Sequence, residues 1–291
     1  MSLSPKVMVP DELALALDLL ADDDESMCLS GGATLVAMLN ANLVEPSSLI
    51  ALKNISELSG ITRQSDGSIG IGAMTRHAMT ASSALLIGSL GGVKDAASKI
   101  ANPAVRNMGT MGGSIAFSDP AADYPPALVA AEAEIELQSK DGSRIIAAED
   151  FFIDWYETVL EPGEIVRAIH LPKPDENAAG HHEKFARVEG DFATTSVNVV
   201  LAMEGDTCRS IRIAVGACGP VPVRNLEAED VLIGSSLDEE KLIKAGSMLA
   251  QSCDPLDDVR GSADYRLGLV RQLLIRAVQQ AKDKLKKGAL A

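Results

Sequence analysis

Two glycine-rich turns hold the residues whose types and spacing could do chemistry. The first is Ser30-Gly31-Gly32-Ala33-Thr34. The second is Gly109-Thr110-Met111-Gly112-Gly113-Ser114, inside a stretch over residues 100–126 that also carries Asp119 and Asp123. Glycine has no side chain to hold a ligand away and tolerates φ > 0. Successive main-chain N–H groups in such a turn form an anion-binding concavity. Either turn alone also reads as an ordinary loop punctuated by glycine. Two of them in one chain predict a diphosphate gripped from both sides by bare amides. Asp123 falls in the first turn of a helix predicted over 121–131, where a carboxylate favours the helix dipole or accepts from a ribose hydroxyl.

The elements that must position these turns follow from periodicity. The first turn sits between a strand at 27–29 and a helix at 35–40, a layout that aims unpaired N–H groups at an anion. Upstream, Pro10-Asp11 starts a helix with apolar residues at helical spacing. Strands are predicted over 49–52 and, around Asp66-Gly67 and Asp141-Gly142, as two hairpins. A Gly70-Ile71-Gly72 run is no dinucleotide fingerprint, since a third glycine and an opening helix are missing. Thr75 is read as a helix cap, 85–100 as one long helix and 165–171 as a strand. Four of the nine aromatics, Phe151, Phe152, Trp155 and Tyr156, are read as core or interface anchors. Residues 172–180 form a polar, proline-bearing linker, and the main domain boundary is placed there, with His181-His182 as a linker pair. Beyond it come strands over 184–188, 195–203 and 210–217, then helices over 225–233, 238–252 and 264–286. Strands followed by helices predict a segregated α+β domain.

Composition removes several function classes. The chain has 291 residues, with 46% hydrophobic and 23% charged, which is globular and long enough for two or three domains. Lys+Arg is 26 against Asp+Glu 41, a net charge of −15 that argues against neutralising nucleic-acid phosphates. An acidic chain that holds a phosphate-bearing cofactor must neutralise it locally, with amides and helix N-termini. Aromatics are 3%, so no base-stacking platform is evident. No apolar run has membrane-spanning length, the N-terminal residues lack signal-peptide character, and the four cysteines are scattered, so a cytoplasmic location with reduced thiols is expected.

LSGGATL, IANPAVRNMGTMGGSIAFSDPAADYPPALVA, EDFF, KFARVEGDFA, VPVR and GSADYR occur in this order. Together they resemble the flavin-binding medium subunit of molybdenum hydroxylases, the carbon monoxide, xanthine and nicotinate dehydrogenase type. The resemblance implies an α+β fold: a two-lobed FAD-binding domain of the vanillyl-alcohol-oxidase type over 1–174 (lobes about 1–55 and 56–174). A C-terminal domain over 181–291, a three-stranded antiparallel sheet with a helical bundle, follows. It implies that Leu29, Ser30, Gly31, Gly32, Ala33, Thr34 and Leu35, with Thr110, Met111, Gly112, Gly113 and Ser114, grip the FAD pyrophosphate. Asp123 would bind toward the adenosine end. Ile100, Ile165 and Val166 would pack on the cofactor. Lys184 would lie near the isoalloxazine, favouring negative charge there, and Phe192 would stand where some members place a tyrosine. Thr34 and Ser114 replace residues that also carry a hydrogen-bonding oxygen, and Val188 replaces a frequent basic residue.

By the same resemblance, electrons would reach FAD from iron–sulfur clusters on a small partner subunit, fed by a large molybdopterin subunit, and leave to NAD, a quinone or another acceptor. The four separate cysteines offer no iron–sulfur cluster motif, so those centres are expected on other chains. No catalytic residue or metal site is expected on this one. The alternative is a stand-alone flavin-dependent oxidoreductase of the same fold.

Overall fold

The computed structural model describes residues 5–288. The first unit is a small parallel sheet, β1 (Lys6–Met8), β2 (Met27–Leu29) and β3 (Ser48–Ala51), in the order β1-β3-β2. β3 is buried along its whole length, as the middle strand of a parallel sheet must be. Helix α1 (Leu13–Ala21) buries Leu13, Ala16, Leu17 and Leu20, one stripe at i, i+3, i+4 and i+7, in a core shared with Ile50, Ile55 and Leu58. Helix α2 (Leu35–Asn40) follows β2 directly after the first glycine turn.

The second unit is built on β4 (Ile61–Arg63), β5 (Ile69–Gly72), β6 (Glu134–Ser139), β7 (Gly142–Ala147) and β10 (Ile165–Leu171), an antiparallel sheet in the order β4-β5-β10-β6-β7. Both predicted hairpins are present in it. Helices α3 (His77–Ser82), α4 (Gly91–Lys99), α5 (Pro103–Arg106), α6 (Met111–Phe117) and α7 (Tyr124–Ala130) lie between β5 and β6 in the chain. A short helix α8 (Ala148–Phe151) and a two-stranded ribbon, β8 (Phe152–Asp154) with β9 (Glu157–Thr158), precede β10.

Several boundaries differ from the sequence reading for identifiable reasons. The helix expected over 85–100 begins only at Gly91, because Gly88 takes φ +55 and leads into a 3₁₀ turn ending at Leu90. Thr75 does not cap α3. Its hydroxyl bonds the Gly60 carbonyl at 3.0 Å, and Arg76 occupies the cap position. Asp123 is the N-cap residue of α7 yet makes no capping bond, because its carboxylate is engaged elsewhere. Phe151 and Phe152 are core, whereas Trp155 and Tyr156 stay exposed.

The third unit is the antiparallel sheet β11 (Ala178–Phe185), β12 (Thr195–Glu204) and β13 (Thr207–Gly216), followed by α9 (Leu226–Leu232), α10 (Glu239–Gln251) and α11 (Ala263–Gly288). β11 starts six residues earlier than its predicted range over 184–188. His181 and His182 therefore belong to the strand and are buried, which corrects their reading as a linker pair. The side-chain period of two divides this sheet between two cores. Val197, Val199, Leu201, Ile211, Ile213 and Val215 face α9–α11, whereas Val200 and Ala214 join the core of the second unit beneath α4 and α7. Gly180 of β11 and the start of α4 approach so closely that a Cβ on Gly180 would lie 2.4 Å from the Ser89 oxygen and 2.6 Å from the Gly92 nitrogen.

Candidate functional site

The two glycine turns meet. Gly31 lies against the 108–109 backbone, where its Cβ would come within 2.7 Å of the Gly109 Cα. Gly113 faces Ser30, whose Cβ would be 3.3 Å from a Cβ placed on it. Both turns open on one cleft of about 830 Å³, at the upper end of the roughly 300–1,000 Å³ typical of small-molecule sites.

The turns offer different chemistry. In the first, Gly32 takes φ +74, a left-handed conformation that favours glycine, and turns the chain from β2 into α2. Among the described residues, the N–H groups of Gly31, Gly32, Ala33, Thr34 and Leu35 donate to no protein acceptor. Five consecutive unpartnered donors on one bend are an anion nest. The second turn departs from the expectation of bare amides. Met111 N–H donates to Thr75 O at 3.0 Å, Gly112 to Ala73 O at 2.8 Å and Ser114 to Thr110 O at 3.1 Å. Gly113 N–H donates to the Thr110 hydroxyl at 3.2 Å, because Thr110 is the N-cap of α6.

The glycines of the second turn serve close packing. A Cβ on Gly112 would sit 2.4 Å from that of Ala73, and one on Gly109 would sit 2.5 Å from His77 Nε2. This turn thus gives the cleft a thin, rigid floor edged by the Ser114 hydroxyl, and the first turn supplies the free donors. The same packing role explains why glycine counting in the sequence could not tell the two turns apart.

The predicted residues distribute unevenly around this space. Ser30 to Leu35, Ile100, Thr110, Gly112, Gly113, Ser114, Asp123, Ile165, Val166 and Phe192 all line the cleft. Leu29, Met111 and Lys184 do not. Leu29 ends β2, and the Met111 side chain is fully buried in the core of the second unit. Lys184 is expected at the isoalloxazine, but its ammonium points into the protein, donating at 2.9 Å to Asp123 Oδ2, Lys99 O and Asp191 O.

Among the described residues, Asp123 is the most buried carboxylate lining the cleft. Its Oδ1 lies 2.9 Å from His182 Nε2 and its Oδ2 accepts from Lys184. Burial works against the anion, but the His182 and Lys184 contacts outweigh it and hold the carboxyl below the usual range. Sequence reasoning missed His182, whose side chain reaches Asp123 from β11. The i, i+2 spacing of His182 and Lys184, which puts both on one strand face, was the available signal.

The remaining lining shows what the cleft does not do. Its charged residues are Asp23, Asp24, Asp119, Asp123, Glu161, Glu164 and Asp191, with no lysine or arginine among the described residues. A diphosphate here must therefore rest on amides and hydroxyls. Burial pushes the Cys28 thiol up to about 12 and His77 down to about 4, so neither a thiolate nor an imidazolium is at hand. At the mouth, Phe192 is partly exposed, with the Arg260 guanidinium 5.4 Å from its ring centroid. No group of three or more metal-ligating side chains occurs among the described residues, and none of their helices is long and apolar enough to cross a membrane.

Comparison with known proteins shows the family. Residues 3–174 match the family described as FAD binding domain in molybdopterin dehydrogenase, and residues 181–281 match the CO dehydrogenase flavoprotein C-terminal domain. The chain is 35% identical to the carbon monoxide dehydrogenase medium chain of Afipia carboxidovorans, over 95% of this chain and 96% of that one. It is 34% identical to the 6-hydroxypseudooxynicotine dehydrogenase complex subunit alpha of Paenarthrobacter nicotinovorans, over 94% and 93%. A chain in the crystal structure of the cyanide-inactivated Cu,Mo-CO dehydrogenase superposes with a TM-score of 0.93 at 34% identity, covering 98% of this chain and 99% of that one. One in quinoline 2-oxidoreductase from Pseudomonas putida 86 gives 0.92 at 31%, with the same coverage. An uncharged donor nest beside this cleft fits the diphosphate of FAD, and the chain belongs to the family of FAD-binding subunits of molybdenum hydroxylases.

Proposed function

We propose that this chain carries electrons through FAD between iron–sulfur clusters on a small partner subunit and an external acceptor such as NAD or a quinone. A large molybdopterin subunit would do the substrate chemistry. The observation that carries this reading is the convergence of both glycine turns on one cleft that contains donors for a diphosphate and no activated nucleophile. Relatives named medium chain or medium subunit support a place in a multi-subunit assembly. We infer that residues 1–174 form a vanillyl-alcohol-oxidase-type FAD domain, with lobes about 1–55 and 56–174, and that 181–291 form the C-terminal domain.

When bound, FAD supplies the redox chemistry, and the protein supplies position and electrostatics. The amides of Gly31 to Leu35 hold the diphosphate, with the hydroxyls of Thr34 and Ser114 in reach of the same turn space. Asp123, fixed by two donors, keeps a free lone pair on each oxygen for a cofactor hydroxyl. Ile100, Ile165 and Val166 give an apolar wall, and Phe192 offers a ring face without a hydroxyl to donate. Lys184 acts through Asp123, holding it ionised.

The test is co-expression with candidate large and small subunits, followed by flavin quantification and reduction by the complex's substrate. Near-equimolar FAD that bleaches on substrate addition is expected. A complex without flavin, or turnover of an organic substrate by the isolated chain, would sink the proposal.

A further inference from the structure

Charge is sorted around the FAD cleft. The cleft has carboxylates and no lysine or arginine among its described lining, yet a cationic pocket of about 440 Å³ adjoins it. Lys99, Arg106, Lys184 and Arg187 line this pocket, with Glu189 as its one carboxylate among the described residues. Ala101 and Gly190 line both spaces and so form the wall between them. That wall is fixed: Ala101 takes φ 42, Gly190 takes φ 82, and a Cβ on Gly190 would sit 2.6 Å from the Ala101 oxygen.

We infer that this second pocket binds the phosphate group of a small molecule. Two of its cations already have partners. Lys184 is held by Asp123, and Lys99 donates to the His182 carbonyl and lies 4.0 Å from Glu183. The two arginines make no ion pair with a carboxylate among the described residues. One nitrogen of Arg106 donates to the carbonyls of Ile100 and Ala101 at 2.7 and 2.6 Å, which orients the guanidinium and leaves its other nitrogens without an acceptor among the described residues. Arg187 is exposed and makes no hydrogen bond or ion pair among the described residues.

In a chain with 41 acidic and 26 basic residues, four cations against one carboxylate on a single concave surface run counter to the overall charge and concentrate positive potential there. Guanidinium forks match phosphate oxygens in pairs, which a lysine ammonium cannot do. Quinones and other neutral molecules gain nothing from this lining. The same phosphate chemistry has two sources: an electron acceptor whose phosphates dock here while its reactive part reaches the cleft, or a free nucleotide that regulates the subunit. The first source rests on the electron-transfer reading above, and the site itself does not.

The test titrates FAD-loaded protein with inorganic pyrophosphate by calorimetry, with ionic strength matched by chloride. Saturable binding is expected, weakened tenfold or more by Arg187→Glu and to a smaller extent by Arg187→Lys, which keeps the charge but not the fork, with flavin content unchanged in both. No saturable binding to the wild type, or equal binding by Arg187→Glu, overturns the inference. A second arm follows reoxidation of the reduced protein by a nicotinamide dinucleotide and by a neutral quinone. Slowing of the dinucleotide alone by pyrophosphate identifies the acceptor as the source, and slowing of neither identifies a free nucleotide. Absence of flavin from the wild type would strike the electron-transfer reading and leave the pyrophosphate result standing.

Discussion

Gly31 and Met108 touch backbone to backbone: a methyl group on Gly31 would lie 2.2 Å from the Met108 carbonyl oxygen. No side chain can rotate away to relieve such a contact. Gly31→Ala must part the two turns, and overpacking of this kind costs about 1–3 kcal/mol. Much of that falls on cofactor binding, because the displaced segment is the donor nest itself. FAD affinity is expected to drop about tenfold or more, each tenfold being about 1.4 kcal/mol. Flavin absorbance per chain after gel filtration checks this, with a cooperative melt to show that the fold survives. Full flavin retention would mean the turns do not need their present contact.

Salt gives a second prediction. Ion pairs between a cofactor and lysine or arginine weaken as the Debye length shrinks from about 10 Å at 0.1 M to about 3 Å at 1 M. The cleft has no such pairs among the described residues, and its charged lining is carboxylate. Raising NaCl from about 0.05 M to about 0.5 M is therefore expected to leave FAD affinity unchanged or slightly higher, as repulsion is screened. A loss of tenfold across that range would show that cations carry the diphosphate after all.

A third prediction concerns acid. His77 is buried, with Nδ1 3.1 Å from the Tyr124 hydroxyl. Burial holds the imidazole down at about 4, the Asp123 charge opposing this and Arg106 adding to it. Its unfolded value is about 6.5, so the unfolded chain binds the proton first. The stabilisation is complete above pH 6.5 and is lost as pH falls toward 4, reaching about 2 kcal/mol by pH 5. His182, lowered chiefly by burial, acts in the same direction. Asp123 acts in the same direction but in a lower range, losing its contribution only below about pH 4. Urea denaturation at about pH 7.5 and pH 5 should show a smaller pH effect for His77→Gln than for the wild type, by about that amount. Equal pH dependence would mean His77 is protonated within the fold.

Much of this arrangement was legible in the sequence. The glycine turns, the Asp-Gly hairpins and the three late helices each have a local cause that one segment contains. What escaped is what depends on two segments at once. Gly88 breaks a helix because its neighbour across the chain is the Asp175 backbone, whose carbonyl oxygen would be 2.3 Å from a Cβ there. His182 read as linker because its partner, Asp123, is 59 residues away. The amides of Met111 and Gly112 read as free because their acceptors, Thr75 and Ala73, belong to the turn after β5. The count of unpaired donors is thus the least sequence-visible property of the site.

The strand β12 has one further implication. Val199 and Leu201 belong to one core and Val200, between them, to the other. Severing the chain between 172 and 177 would consequently not release two independent bodies, since either fragment alone would lay bare half of a ribbon that the other clothes. The nicked protein would travel as one particle, and the cofactor compartment inherits its rigidity from a sheet encoded downstream of it.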